Sequence, residues 1–387
     1  MTWMGKAQQI RRQNVKVNGV AVKLYSKFRE DGLRCCILKG QGNALMYPNP
    51  YSRTPGDIDV WVNASREDIT EYAKRHFNLE DDIRFHHLET TLDGVPVELH
   101  FFPGIMNNPI YHARLQKWFR RNADLQCSHI VGLPDGAGDI AIPTTAFNVI
   151  YQLTHLYHHF FDEGIGMRQI IDYFLVVNDF SKNVFLNNDL SNHPVNFSNH
   201  PVPLSKEGST FSPSPSSSGS GDVTAPSRCS EPLRSKDGGP SKVSPNCAGW
   251  DHLAIEEDNS AGSTTAVTSS ASTALVVVQK ELKYLGLWKF AGAVMYVLHE
   301  ALGLSEEKMI APMDEKRGKL LLAEILNGGN FGKHFTKYGH FTQQGMAKKY
   351  FLKIWRNMHF VRYYPAEALS EPIFRTWHFF WRLKHRG

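Results

Sequence analysis

The sequence predicts an α+β chain: a small mixed sheet with flanking helices over residues 1–140, then an α-helical half over 141–180 and 274–387, interrupted by a disordered insertion at 181–273. Three observations carry this. Short apolar runs that alternate or end at glycine crowd the first part. From Pro143 the apolar residues recur at helical spacing. Between about Ser181 and Thr273 Asn, Ser, Pro and Gly dominate, leaving too little apolar surface to offset the entropy of ordering. The chain has 387 residues, 42% of them hydrophobic and 12% aromatic, which is ample for a core.

In chain order, a leading amphipathic helix is expected over about residues 5–30, and "RCCILKG" reads as a strand that ends at glycine. A helix should start near Gly42 and stop before the proline-rich loop "YPNPYSRTPG". "DIDVWV" alternates, with Ile58, Val60 and Val62 on one face and Asp57, Asp59 and Trp61 on the other. After a helix near 65–76, "IRFHHLETTLDGVPVELHFFP" reads as a hairpin turning at Asp93-Gly94. Thr144 or Thr145 is the expected N-cap of the helix "AFNVIYQLTHLYHHFFDEG", Gly164 its end, and "MRQIIDYFLVV" the next helix. Beyond the insertion, "ELKYLGLWKFAGAVMYVLHEALGL" resumes the helical period, and "FRTWHFFWRLKHRG" reads as a final helix with its aromatics on the core. Within or beside the insertion, "WDHLAIEE" and "ALVVV" alone have local apolar density.

The formal charge of +5 favours anionic ligands only weakly and does not imply nucleic acid. The five cysteines form no C-x-x-C pair and no zinc-type spacing, which suggests a reducing compartment. The N-terminus mixes charge with apolar residues, unlike a signal peptide, and no run approaches the roughly 18 apolar residues of a membrane span. The expectation is a soluble, cytoplasmic protein.

Side chains two apart on a strand point the same way, so Asp57 and Asp59 are aimed off one sheet face. Two ionised carboxylates that close repel unless a cation lies between them, and Mg²⁺ (or Mn²⁺) is the natural candidate because it takes hard oxygen ligands and leaves room for phosphates. Such a site asks for a third carboxylate from a neighbouring strand, and Glu98 in "VPVELHF" is the expected donor. The turn at Gly40 would present backbone N–H groups to phosphate oxygens, with Lys39 and Arg53 adding positive charge. Each signal is weak alone. Their order is what gives them weight.

That order resembles the polymerase-beta-like nucleotidyltransferase superfamily. Within it, "LKGQGNALMYPNPYSRTPGDIDVWV" is similar to the uncharacterised nucleotidyltransferase family of NTP-transferase type 5, with its Lys39-Gly40 turn, Tyr47-Pro48, Arg53 and Asp57-Ile58-Asp59. "VELHFF" and "HLYHHFFDEGIGMRQIIDYF" extend the likeness, the latter through a His-rich helix and Gly-x-Gly-x-Arg. The resemblance implies transfer of a nucleoside monophosphate from an NTP, ATP among them, to an acceptor hydroxyl, with pyrophosphate released. Asp57, Asp59 and Glu98 would be the catalytic and metal-binding residues, and Lys39, Gly40, Gln41, Arg53 and Arg168 the nucleotide-binding ones. Gln41 stands where the superfamily commonly has serine. The acceptor is left open among small molecules, proteins and RNA. The alternative is an inactive nucleotide-binding or regulatory protein on the same fold.

A second constellation lies on the helical side. His155, His158 and His159 share a helix face that Asp162 continues, so they either chelate a metal or pack and hydrogen-bond beside the cleft. Packing is the stronger reading, since no metalloprotease-type Glu accompanies them. Arg168 and Asp172 are spaced as a helix ion pair, or Arg168 reaches a phosphate. His100 should share Glu98's face. His100, His155 and His159 are second-rank site candidates.

Overall fold

The computed structural model describes residues 3–79, 84–189, 269–328 and 346–385. All of them belong to one compact unit, Met1–Pro194 with Thr265–Gly387. Helix α1 (Trp3–Glu30) buries Val17, Val20, Ala21, Leu24 and Phe28, the i, i+3, i+4 stripe of an amphipathic helix. Strand β1 (Cys35–Leu38) leads into the short helix α2 (Gly40–Ala44), which begins two residues before the expected start. After β2 (Ile58–Val62), helix α3 (Arg66–His76) is capped by Ser65, whose hydroxyl accepts from the Asp68 N–H. The hairpin of β3 (His87–Leu92) and β4 (Val95–His100) turns at Asp93 and Gly94, both at positive φ (50° and 71°). Positive φ at both central residues is the type I′ condition for a two-residue hairpin.

The four strands form a mixed sheet in the order β1-β2-β4-β3. β1 and β2 are antiparallel, β2 and β4 parallel, and β3 and β4 antiparallel. The register sets Asp59 beside Glu98 and Trp61 beside His100, while Glu89 lies opposite Glu98 and His87 opposite His100. One face is apolar but for Thr90, whose hydroxyl donates to the Asn78 carbonyl: Ile37, Ile58, Val60, Val62, Leu88, Val97 and Leu99 pack with the stripe of α1 and with Ile69 and Ala73 of α3. On the other face Cys36, Leu38 and Trp61 join the core of the helical half. The residues beside them on that face are charged.

Two elements were not anticipated. Helix α4 (Pro109–Ser128) begins at Asn108, whose side chain accepts from the N–H groups of Ile110 and Tyr111, and a hairpin of β5 (Ile130–Leu133) and β6 (Gly138–Ala141) follows. Helix α5 (Thr145–Asp162) starts after Thr144 as expected, although the Thr144 hydroxyl donates to Gln126 instead of capping. Gly164, at φ 95°, ends the segment. Trp118 and Phe147 stack at 4.5 Å between ring centres, and Trp61 lies against both Phe147 and Phe119, welding the sheet to the helices.

Both ends of the stretch expected as the insertion are helical among the described residues. Helix α6 (Met167–Asp189) runs past Ser181, and α7 starts at Ser269 (Ser269–Tyr284), because Phe180 and Val184, and then Leu275, Val278 and Leu282, continue the helical apolar spacing against the core. "ALVVV" is thus part of α7, whereas "WDHLAIEE" lies outside the described residues. Helices α8 (Trp288–Leu302), α9 (Glu315–Gly328), α10 (Met346–Met358) and α11 (Pro365–His385) complete the unit. The last helix is where expected, but only some of its aromatics face inward. Phe374, Trp377 and Trp381 close on Phe85, whereas Phe379 and Phe380 are 40% and 62% exposed.

Glu367 fastens α11 to the segment after β4 by accepting the N–H groups of Asn107 and Asn108. Burial pushes its carboxyl up to about 7, against the pull of those two N–H groups. A raised acid stabilises the fold in its protonated form: the contribution is complete below about pH 4.5 and is lost as pH rises through about 7. We expect the stability of the natural protein relative to Glu367→Gln to fall by up to about 3 kcal/mol across that window. Urea melts of both proteins at several pH values check it.

Candidate active site

The charged half of the sheet face opens into a cleft of about 290 Å³, walled by β2, β4, the turn after β1, and helices α5 and α6. Asp59 lies at its floor, 5% exposed. Its Oδ1 accepts from Lys39 Nζ at 3.0 Å and from His100 Nε2 at 3.0 Å. His100 Nε2 also lies 3.2 Å from Glu98 Oε2, and His87 Nδ1 lies 3.4 Å from the same oxygen. Burial alone would strip His100 of its proton, but the hydrogen bonds to Asp59 and Glu98 outweigh it and push the imidazole up to about 9. In return His100 holds Glu98 below its usual range against burial, and Lys39 with His100 does the same for Asp59. His87 stays neutral, pushed down to about 4 by burial and by the His100 charge.

Asp57 precedes β2 at the cleft rim. Withdrawal from water, then the charges of Asp59 and Glu98, push its carboxyl up to about 6. Lys39 and Gly40 both take positive φ (49° and 21°), making the sharp turn from β1 into α2. The turn is secured to α5 by reciprocal amide bonds between Asn43 and Gln152. Gln41 points elsewhere: its amide donates to Asn18 of α1, and it does not line the cleft.

On the opposite wall, His155 Nε2 lies 3.4 Å from Lys39 Nζ and 3.0 Å from His159 Nε2. Burial, then the Lys39 charge, keeps His155 neutral, so its Nε2 can accept from the Lys39 ammonium. His159 is pushed down to about 3, first by burial. These two histidines serve as a neutral hydrogen-bonded lining for Lys39.

From α6, Asp172 takes a bidentate pair from Arg53, at 3.0 and 2.9 Å, and a bond from the Tyr47 hydroxyl at 2.7 Å. The i, i+4 pair of Arg168 with Asp172 therefore does not form. Arg168 lines the cleft with its Nε buried and bonded to nothing among the described residues. Arg53, expected to add positive charge for the triphosphate, lines the cleft with its guanidinium bonded to Asp172 of α6.

The predicted residues Asp59, Glu98 and His100 come together, each with one ligand atom within 4.8 Å of the others. Asp57, Lys39, Gly40, Arg53, Arg168, His155 and His159 line the same cleft, while Asp57 stands outside that tight set. His86, His87 and Glu89 were missed, and His158, read with the helix face of His155, also lines the cleft. A two-residue turn at 93–94 pairs positions whose numbers sum to 187, so His87 opposite His100 and Glu89 opposite Glu98 were readable from "FHHLETTLDGVPVELH". The carboxylate oxygens of Asp59 and Glu98, with that of Asp57 at the rim, are the donor chemistry that fits a hard divalent cation, and His100 and Lys39 hydrogen-bond the inner pair.

Residues 1–191 match the sequence model of a family described as uncharacterised nucleotidyltransferase. Among solved structures, the crystal structure of an antigenic nucleotidyltransferase-like protein from Paracoccidioides brasiliensis is similar at 16% identity, covering 46% of this chain and 88% of that one, with a TM-score of 0.28. No curated protein matches. No helix among the described residues is long and apolar enough to cross a membrane.

Proposed function

From the match of residues 1–191 to the uncharacterised nucleotidyltransferase family, we propose that the cleft transfers a nucleoside monophosphate from an NTP to an acceptor hydroxyl. The observation that carries this reading is the register of Asp59 against Glu98 on adjacent parallel strands, with Arg168 facing them across the cleft. Asp57, Asp59 and Glu98 would hold Mg²⁺ or Mn²⁺. When bound, such an ion neutralises phosphoryl oxygens and acidifies the attacking hydroxyl.

The rest falls to the chain's own residues. Arg168 binds the triphosphate through charge-assisted hydrogen bonds, and its bulk on α6 keeps the chain of phosphates along the cleft. The acceptor oxygen forms a bond to the α-phosphorus as the bond to the β-bridging oxygen breaks, and pyrophosphate leaves. The hydroxyl proton passes to an Oδ of Asp57, the carboxylate that withdrawal from water and then the charges of Asp59 and Glu98 make most basic. Lys39 and His100 keep Asp59 ionised throughout.

The test is direct. Purified protein incubated with each labelled NTP and Mg²⁺ or Mn²⁺ should release pyrophosphate and pass label to a small molecule, protein or RNA of a lysate, and Asp57→Asn should not. Nucleotide binding with no turnover under any metal would leave a binding protein in place of an enzyme. Arg168→Ala should raise the KM for NTP about 10- to 100-fold, the worth of a lost charge-assisted bond, with an unchanged melting curve.

A further inference from the structure

Beside the carboxylates the cleft holds a second donor set, three histidines that meet the carboxylates at His100 alone. The bend before β3 turns His86 inward, so that its ring centre lies 4.3 Å from that of His87 and 5.6 Å from that of His100. His87 and His100 face each other across the hairpin at 5.1 Å. One ring nitrogen of each histidine lies within 4.8 Å of the others.

Hydrogen bonding does not account for this packing. His87 and His100 are each 3% exposed, yet each has a buried Nδ1 that makes no hydrogen bond. His100 meets Asp59 and Glu98 through Nε2, so its Nδ1 is left over. The nearest approach of His87 Nδ1, 3.4 Å to Glu98 Oε2, lacks bonding geometry. A buried imidazole nitrogen without a partner is costly unless something completes it.

We propose that His86, His87 and His100 bind a zinc-class divalent ion, at a nitrogen site that shares only His100 with the carboxylate group. Imidazole nitrogen suits zinc and its neighbours among the transition metals, whereas Mg²⁺ prefers oxygen. Three histidines leave a fourth position, as in open zinc centres. Here that position faces the cleft, where His158 and Asp162 line the opposite wall. Zn–N bonds of about 2.0–2.1 Å bring ligand nitrogens to roughly 3.4 Å of one another, so the rings need to close by about an ångström through side-chain rotation. The inference does not depend on nucleotidyl transfer: it concerns ion binding alone.

The test is titration of the metal-stripped full chain with Zn²⁺ by calorimetry, and with Co²⁺ by visible absorption. About one equivalent should bind, with the intense d–d bands of a low-coordinate nitrogen site. His87→Ala and His86→Asn should each weaken Zn²⁺ binding at least about tenfold, while Asp57→Asn and His155→Ala leave it unchanged. His86 sits in a bend and is only half-buried, so its variant decides the matter if His87→Ala does not fold. The proposal is overturned if the natural protein takes up no Zn²⁺, or if both histidine variants bind it as tightly as the natural chain. Equal loss in Asp57→Asn would move the ion to the carboxylates and overturn it too. Because the readout is ion binding, a failed transfer assay leaves this result standing, and the reverse also holds.

Discussion

Replacing Asp59 by alanine is expected to abolish nucleotide transfer and to cost the fold about 3–5 kcal/mol, the usual penalty for leaving a buried charge without its partner. Burial works against the Lys39 ammonium, and the Asp59 charge 3.0 Å away is what holds it above its ordinary range. Lys39 has a side chain only 18% exposed, so without Asp59 it either loses its proton or drags water inward. His100 loses a partner at the same moment. The sign in pH follows. Burial would raise the Asp59 carboxyl, but Lys39 and His100 hold it below its ordinary 3.8, so its stabilisation is present above that value and disappears as pH falls below it. Asp59→Asn keeps the shape and should lower turnover by about 10²–10³-fold. Urea melts and label transfer on the same preparations separate the two effects. The double variant Lys39→Met with Asp59→Leu should recover much of the stability and none of the activity.

Arg53→Ala should be almost as damaging, through stability and not through substrate affinity. Arg53 and Asp172 are each 8% exposed in their side chains, and the guanidinium makes two parallel bonds to the carboxylate. Removing it leaves Asp172 with only the Tyr47 hydroxyl among the described residues, at an expected loss of about 3–5 kcal/mol. Lysine cannot restore two bonds in a fork, so Arg53→Lys should remain destabilised. The pair also fixes the loop before Asp57 to α6, with Asn14 of α1 donating to the Arg53 carbonyl at 2.8 Å from the other side. Were Arg53 chiefly a phosphate ligand, its loss would raise the KM and leave the melting curve untouched. Calorimetry of Arg53→Ala and Asp172→Asn decides between these outcomes.

These two residues also mark how far a sequence alone reaches. The strand "DIDVWV", the hairpin at Asp93-Gly94 and the aim of Glu98 and His100 toward Asp59 follow from local alternation, which depends only on neighbours along the chain. The use of Arg53 depends on Asp172, on a different helix, and no local pattern announces that pairing. Gln41 is similar, since only the packing of α1 shows that Asn18 claims it. Helix α4 and the β5–β6 hairpin escaped because apolar residues there are interleaved with charge and glycine, without a clean period. His86 lies at a bend outside the alternation, so only the backbone path reveals that it joins His87 and His100.

The pairing of β2 with β4 has one more consequence, for the quality of the folded population. Sliding β4 by a single residue would turn Leu99 into the cleft and drive Glu98 into the apolar layer beneath α1 and α3. A molecule with that error carries an unpaired carboxylate where Val97 and Leu99 belong, a penalty of several kcal/mol against total stabilities of about 5–15. The mistake that would disarm the site is therefore the mistake that unfolds the protein. Well-folded but inert molecules should be scarce, and proteolysis would clear the misregistered ones before they accumulate.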